Sequence, residues 1–147
     1  MRIMKIFLFF KIDYVIGANL FLRKTIFNIL DGFAEDFFMY YEETDLQKRM
    51  ATLGFSRVVY NGTKLIHFGG GSGLDKRKNL KRIISHQSMD NYIKRHDPKN
   101  YKVFKFFQFV NIIFAFFNYR YSFNENLRYQ KAMFLFLIQK KIYGIHK

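Results

Sequence analysis

The acidic segment Glu42-Glu43-Thr44-Asp45 is the part of the sequence best suited to chemistry. A carboxylate held beside a cleft acts as a general base and takes a proton from a hydroxyl group in the transition state. A structural interpretation also exists, because acids in the first turn of a helix stabilise its dipole. Asp45 also lies four residues before Arg49, the spacing of a helical ion pair. Spacing alone leaves both interpretations open.

His67 is the second candidate, because it ends a predicted strand directly ahead of the glycine-rich loop 69–73. An imidazole at a strand end is a candidate metal ligand, since the pockets of α/β folds collect there. A lone histidine is also commonly a structural or surface residue. The loop matches no phosphate-binding motif, so it is interpreted as a linker.

Short elements must position these residues in the first half of the chain. A buried strand is predicted at 14–16, ending at the turn Gly17-Ala18, and a helix at 22–30 is stopped by Gly32. The segment 33–41 is predicted to be irregular. The remaining predicted elements are a helix over 44–53 with Leu46, Met50 and Leu53 on one face, strands at 57–60 and 64–68 joined by Asn61-Gly62, and helices over 76–95, 102–118 and 123–142.

Charge divides the 147 residues into two unlike halves. Residues 1–74 carry 9 Lys and Arg against 7 Asp and Glu, whereas residues 75–147 carry 16 against 4. Such a basic, Phe-rich half attracts a polyanion, which is either nucleic acid or an anionic lipid surface. The chain has no Cys, so disulfides and thiolate metal sites are excluded.

The segment 103–117 is a predicted helix that is apolar almost all round. It is shorter than the ~20 apolar residues that cross a bilayer. Either it is a core helix, or it lies in the interface of an anionic membrane with Lys and Arg on both sides. Nucleic-acid binding is disfavoured, because the Phe residues cluster in apolar runs instead of alternating with Lys and Arg on a strand.

In order along the chain, these motifs resemble the family-2 glycosyltransferases, with the closest likeness to bacterial rhamnosyltransferase-like members. The likeness extends from Ile12 to Ser72. The segments that carry it are Gly17-Ala18-Asn19-Leu20-Phe21-Leu22-Arg23, Gly32-Phe33-Ala34-Glu35-Asp36-Phe37-Phe38-Met39-Tyr40-Tyr41-Glu42-Glu43-Thr44-Asp45-Leu46, Arg49, Gly54 and Ile66-His67-Phe68-Gly69-Gly70-Gly71-Ser72.

The resemblance implies an α/β chain with a partial GT-A fold, in which a short mixed sheet with helices precedes a C-terminal helical region. The expected parts are an N-terminal apolar segment (1–12), the acceptor-side part of a catalytic domain (13–74) and a basic, Phe-rich helical tail (75–147). The nucleotide-sugar half with its Asp-x-Asp motif is not found before Asp13. We therefore expect a gene fragment or a split subunit that is inactive alone and depends on a separate chain.

The resemblance also assigns roles. Glu43 matches the catalytic base, where the family usually has Asp, and His67 matches a ligand of a divalent metal, Mg or Mn. Glu42, Asp45 and Arg49 match residues that shape the site. Gly17 and Ala18 match the turn that lines the acceptor side.

The implied activity is inverting transfer from a nucleotide-sugar donor to a glycan or lipid-linked acceptor in cell-surface polysaccharide synthesis. Together with the basic half, this predicts a cytoplasmic protein at the inner face of the cell membrane. The alternative hypothesis is a small basic membrane- or nucleic-acid-binding protein without catalysis.

Overall fold

The computed structural model describes residues 9–60, 66 and 78–139, which fold as two compact units. Within this part, the first unit comprises 9–34, 42–60 and 66, and the second comprises 35–41 and 78–139. The chain is of mixed helix and strand composition, so the α/β class holds in its general sense. Helices predominate, and the described strands form one two-stranded sheet.

The first unit contains the antiparallel pair β1 (Phe9–Ile12) and β2 (Arg57–Tyr60), in the register Phe9 with Tyr60 and Ile12 with Arg57. Between them lie a 3-10 turn (Gly17–Asn19), α1 (Lys24–Ile29) and α2 (Glu42–Thr52). The predicted helices and the strand at 57–60 are confirmed. The predicted strand at 64–68 and its Asn61-Gly62 turn lie outside the described residues, apart from Ile66.

The predicted strand at 14–16 is wrong, because the strand of this region is β1. The backbone N–H and carbonyl of Val15 form hydrogen bonds with a side chain instead of with a neighbouring strand. Its N–H donates to Gln47 Oε1 and its carbonyl accepts from Gln47 Nε2, both at 2.7 Å. The amide of Gln47 therefore supplies the donor and acceptor that a paired strand supplies in a sheet.

The core of the first unit is small and apolar. Leu30, Leu46 and Met50 are buried, and side chains from α1 and the segment before it pack on them. Leu53, predicted on the same face of α2, is instead exposed because the helix ends at Thr52. Gly54 follows with φ +81°, the left-handed conformation that ends helices.

The second unit contains α3 (Lys78–His96), α4 (Tyr101–Phe114) with a 3-10 extension (Ala115–Phe117), and α5 (Phe123–Gln139). All three predicted helices are confirmed over their described residues. Their apolar core is formed by Ile83, Ile112, Ala115, Tyr129, Ala132, Met133 and Phe136. Residues 35–41, predicted to be irregular, contain no helix or strand and pack on α3, where Ser88 Oγ donates to the Met39 carbonyl at 2.7 Å.

Candidate functional site

The acidic cluster occupies the start of α2. The helix begins at Glu42, so Glu42, Glu43 and Asp45 all lie in its first turn. There they face the positive end of the helix dipole, which stabilises carboxylates. The structural interpretation of the cluster is thus correct for the helix as a whole, and the surroundings of each carboxylate show what else it does.

Glu43 lies against the turn that contains Gly17. A Cβ atom added to Gly17 would be 3.1 Å from Glu43 Cγ, so the absence of a side chain is what admits Glu43. The Tyr14 hydroxyl donates to Glu43 Oε1 at 2.8 Å and orients the carboxylate. Gly17, matched to the turn on the acceptor side, and Glu43, matched to the base, are thus in contact, while their roles stay predictions. Ala18 follows in the same 3-10 turn and is exposed.

Gln47, one turn further along α2, fixes the turn to the helix. Besides its two hydrogen bonds with Val15, its Nε2 donates to the Glu43 carbonyl at 3.1 Å. The residue is 1% exposed, so these contacts are shielded from water. Such buried, paired amides hold backbone segments in one geometry, which is what a positioned base requires.

Glu42 carries a carboxyl oxygen without a protein partner. Its Oε2 is buried and accepts no hydrogen bond from the described part of the chain. Burial raises the pKa of Glu42 above its ordinary value, and the negative charge of Glu43 adds to the shift. A polar atom in this state favours a donor from elsewhere, such as a hydroxyl group.

Asp45 and Arg49 form the predicted helical ion pair, with Arg49 Nε 2.8 Å from Asp45 Oδ2. The guanidinium also donates to the carbonyls of Leu30 and Gly32 at the end of α1. At 100° per residue, Asp45 lies on the opposite side of α2 from Glu43. These two residues therefore hold α2 against α1 and do not face the Gly17 turn.

His67 lies outside the described residues, so its predicted role as a metal ligand stays a prediction. Among residues 9–60, 66 and 78–139, no three His, Cys, Asp or Glu side chains converge to hold a metal ion. The Mg or Mn site that the resemblance implies, with His67 as its ligand from this chain, therefore also stays a prediction. No step below depends on a metal.

An apolar cavity of about 430 Å³ lies beside the Gly17–Asn19 turn. It is formed between the segment 19–23 and strand β2, with Arg23 and Arg57 among its lining residues. None of the six predicted site residues within the described part of the chain lines it. Its chemistry is that of a hydrophobic depression with two cations, and it does not include the acidic cluster.

Two residues of this arrangement were missed by sequence reasoning. Tyr14 was assigned to a buried strand, whereas it is exposed and holds the Glu43 carboxylate. Gln47 was given no role, although it joins the turn to the helix. Its position four residues after Glu43 was the available signal, since polar residues one turn apart lie on the same face of a helix.

Comparisons with known proteins do not identify a family for this chain. No protein-family model, curated protein or solved structure gives a significant match to the chain. The chemistry available at the site is that of an oriented carboxylate at a helix start, with a second carboxyl group of raised pKa beside it.

Proposed function

We propose that this chain forms the acceptor-side part of an inverting, GT-A-type glycosyltransferase of family 2, with Glu43 as its general base. The observation that carries the proposal is the contact of Glu43 with the Gly17 turn, together with the hydrogen bond from Tyr14. The resemblance rests partly on the segments that contain Gly17 and Glu43. These segments are distant in sequence, and they are in contact at the Glu43 side chain.

In the proposed reaction, the Glu43 carboxylate accepts the proton of an acceptor hydroxyl group. The hydroxyl oxygen forms a bond to the anomeric carbon as the bond to the nucleoside diphosphate breaks on the opposite face, which inverts the configuration. Tyr14 leaves one oxygen of the carboxylate for this proton, because its contact uses Oε1. The acceptor is a glycan or a lipid-linked saccharide, and the donor is a nucleotide sugar.

The exposed sheet is consistent with a partial GT-A fold. Phe9, Phe10, Val58, Val59 and Tyr60 of the two strands are all exposed large apolar residues. A two-stranded sheet is only marginally stable in water, and further strands normally complete it. The proposal assigns that complement to a nucleotide-sugar half, carried by a separate chain in the cytoplasm.

The test is a fusion of the full chain behind the nucleotide-sugar half of a family-2 rhamnosyltransferase, assayed for sugar transfer with a panel of donors. Glu43→Gln should lower kcat by about 10²- to 10⁴-fold, the usual contribution of a general base. Glu43→Asp, which restores the residue usual in the family, should keep activity.

Glu35→Gln is the matched control, because Glu35 is an exposed acid of the irregular segment 35–41. It should leave kcat unchanged, and donor binding should be the same in all four proteins. Equal turnover by Glu43→Gln and the unsubstituted fusion contradicts the assignment of the base. A fusion that transfers no sugar from any donor contradicts the proposed function itself.

A further inference from the structure

Helix α4 presents an apolar face to its surroundings. The residues of this outward apolar face are Val103, Phe106, Phe107, Ile113, Phe114 and Phe117, which are between 49% and 79% exposed. The five in α4 fall within about 120° of the helix circumference, and Phe117 continues the face in the 3-10 turn. Contiguous apolar surface of this kind marks an interaction site.

The inward face of α4 carries polar groups beside Ile112, which belongs to the apolar core. Lys105 Nζ donates to Asp90 Oδ1 and to Gln108 Oε1, both at 2.6 Å, and the Tyr101 hydroxyl donates to Asp90 Oδ2 at 3.0 Å. Asp90 and Gln108 are buried. Helices in water place polar groups outward, whereas helices in contact with lipid pair their polar groups with one another and place apolar groups outward.

The exposed charged side chains in the stretch of chain that contains α4 and α5 are cationic. Between residues 99 and 139 the exposed charged side chains are all Lys or Arg: Lys99, Lys102, Arg120, Arg128 and Lys131. The one carboxylate of this stretch, Glu125, accepts hydrogen bonds from the backbone N–H and the hydroxyl of Ser122 in a capping box. Two copies of this surface repel each other, whereas an anionic lipid surface complements it.

We infer that α4 lies in the interface of an anionic membrane, with its outward apolar face inserted between the lipids and the surrounding Lys and Arg at the headgroups. Its 14 residues span about 21 Å along the axis, a length suited to lying in the membrane plane. No helix within residues 9–60 and 78–139 is long and apolar enough to cross a bilayer. The inference does not depend on the proposed transferase activity.

The backbone of α4 suits this environment. Its N–H and C=O groups are paired within the helix, so insertion leaves few unpaired polar groups in the hydrocarbon. Each Lys or Arg near an anionic leaflet adds to the electrostatic attraction. Burial of Phe side chains supplies the apolar part of the binding energy.

The chain has no Trp, so one substitution gives a unique fluorescent reporter. Phe106→Trp places it on the outward apolar face, and Phe21→Trp is the matched control, because Phe21 is exposed in the first unit. With vesicles of phosphatidylglycerol and phosphatidylcholine, Phe106→Trp should shift its emission to the blue and be quenched by brominated lipid. Phe21→Trp should do neither. Equal responses at the two positions overturn the inference.

Vesicle sedimentation of the full chain gives the second measurement. Phe106→Gln with Phe117→Gln should lower the partition coefficient for anionic vesicles by roughly tenfold or more. The control pair Phe21→Gln with Ile29→Gln, also exposed, should leave it unchanged. Circular dichroism confirms that both variants keep their helices, and pure phosphatidylcholine vesicles should bind the unsubstituted chain more weakly.

Two outcomes contradict the inference. If an oligonucleotide displaces the chain from vesicles and the Phe pair has no effect, the basic surface binds polyanions without insertion. If light scattering shows an oligomer that the Phe pair converts to a monomer, and vesicles do not bind, the face is a contact between copies. Vesicle binding uses no sugar donor, so failure here leaves the proposed transferase untouched, and the reverse also holds.

Discussion

The two units both expose large apolar side chains, but on different backbones. In the first unit several of them lie on β1 and β2, and in the second several lie on α4 and α5. The edge of a two-stranded sheet leaves N–H and C=O groups unpaired, so its natural cover is another polypeptide. A helix pairs its own backbone groups, so its apolar face is compatible with lipid. The same Phe-rich composition therefore indicates different partners in the two units.

The interiors of the units also differ. The first unit buries Leu30, Leu46 and Met50 at its centre, and Asp45 is paired with Arg49 at the end of α1. The second unit places the ion pair of Asp90 and Lys105 among its helices, with the Lys105 ammonium 5.5 Å from the ring centre of Phe136. Polar pairing thus contributes more to how the helices of the second unit are held, and three measurements test this contrast.

The largest effect is expected from removing one buried carboxylate in each unit. Asp90→Ala should lower the free energy of unfolding by about 3 kcal/mol, because it removes the acceptor of both Lys105 and Tyr101 and leaves the Lys105 ammonium only the amide oxygen of Gln108. Asp45→Ala should lower it by only about 1–2 kcal/mol, since Arg49 keeps its hydrogen bonds to the carbonyls of Leu30 and Gly32. Urea unfolding measures both. An equal or larger loss from Asp45→Ala contradicts the contrast.

A matched pair of tyrosines gives an intermediate effect. Burial, with the charge of Asp90 adding to it, raises the pKa of Tyr101 to about 12, so its hydroxyl stays a donor to Asp90 at ordinary pH. Tyr101→Phe should lower the free energy of unfolding by about 1.5 kcal/mol, because the acceptor is a buried charge. Tyr14→Phe, which removes an exposed hydrogen bond to Glu43, should lower it by less than about 1 kcal/mol. The reverse order in urea unfolding argues against a polar interior in the second unit.

The smallest effect is a pH dependence of the second unit. Burial, and then the positive charge of Arg82, lower the pKa of His86 below its ordinary 6.5. His86 therefore binds a proton more readily in the unfolded chain than in the folded one. Its neutral form contributes fully to the free energy of unfolding above pH 6.5, and this contribution falls as the pH drops below that value. Nδ1 of the His86 ring also lies 3.2 Å from the hydroxyl oxygen of Tyr129.

Thermal unfolding at pH 7.5 and pH 5 measures the pH effect. His86→Gln should reduce the difference between the two midpoints, because it removes the imidazole whose pKa is lowered in the folded chain. A difference that His86→Gln does not change assigns the pH dependence to other groups.

Helix positions were predictable because their signals are local. Gly32 and Gly54 follow α1 and α2, and the apolar spacing of Leu46 and Met50 identifies the buried face of α2. Strand pairing was not predictable in the same way. The register of β1 with β2 joins residues almost fifty positions apart, and no local pattern specifies it.

The side of α4 that would be buried was also not predictable. Its sequence is apolar almost all round, and the polar residues that it does contain, including Lys105 and Gln108, would be expected to face water. The choice is made by Gln108 and Lys105, whose partners include a residue of α3. For the site, the resemblance assigned separate roles to Gly17 and Glu43, whereas their contact and the hydrogen bonds of Tyr14 and Gln47 are seen only in the folded chain.

The space at Gly17 ties the turn to the acid that faces it. A methyl carbon there comes closer to Glu43 than ordinary van der Waals contact, so Gly17→Ala and the side chain at 43 compete for the same volume. The nearest atoms are Cγ and Cβ of Glu43, and aspartate has atoms at both positions, so shortening the acid by one methylene does not free this volume. Glycine at 17 is therefore required for as long as residue 43 is a carboxylic acid and the turn keeps its place on α2.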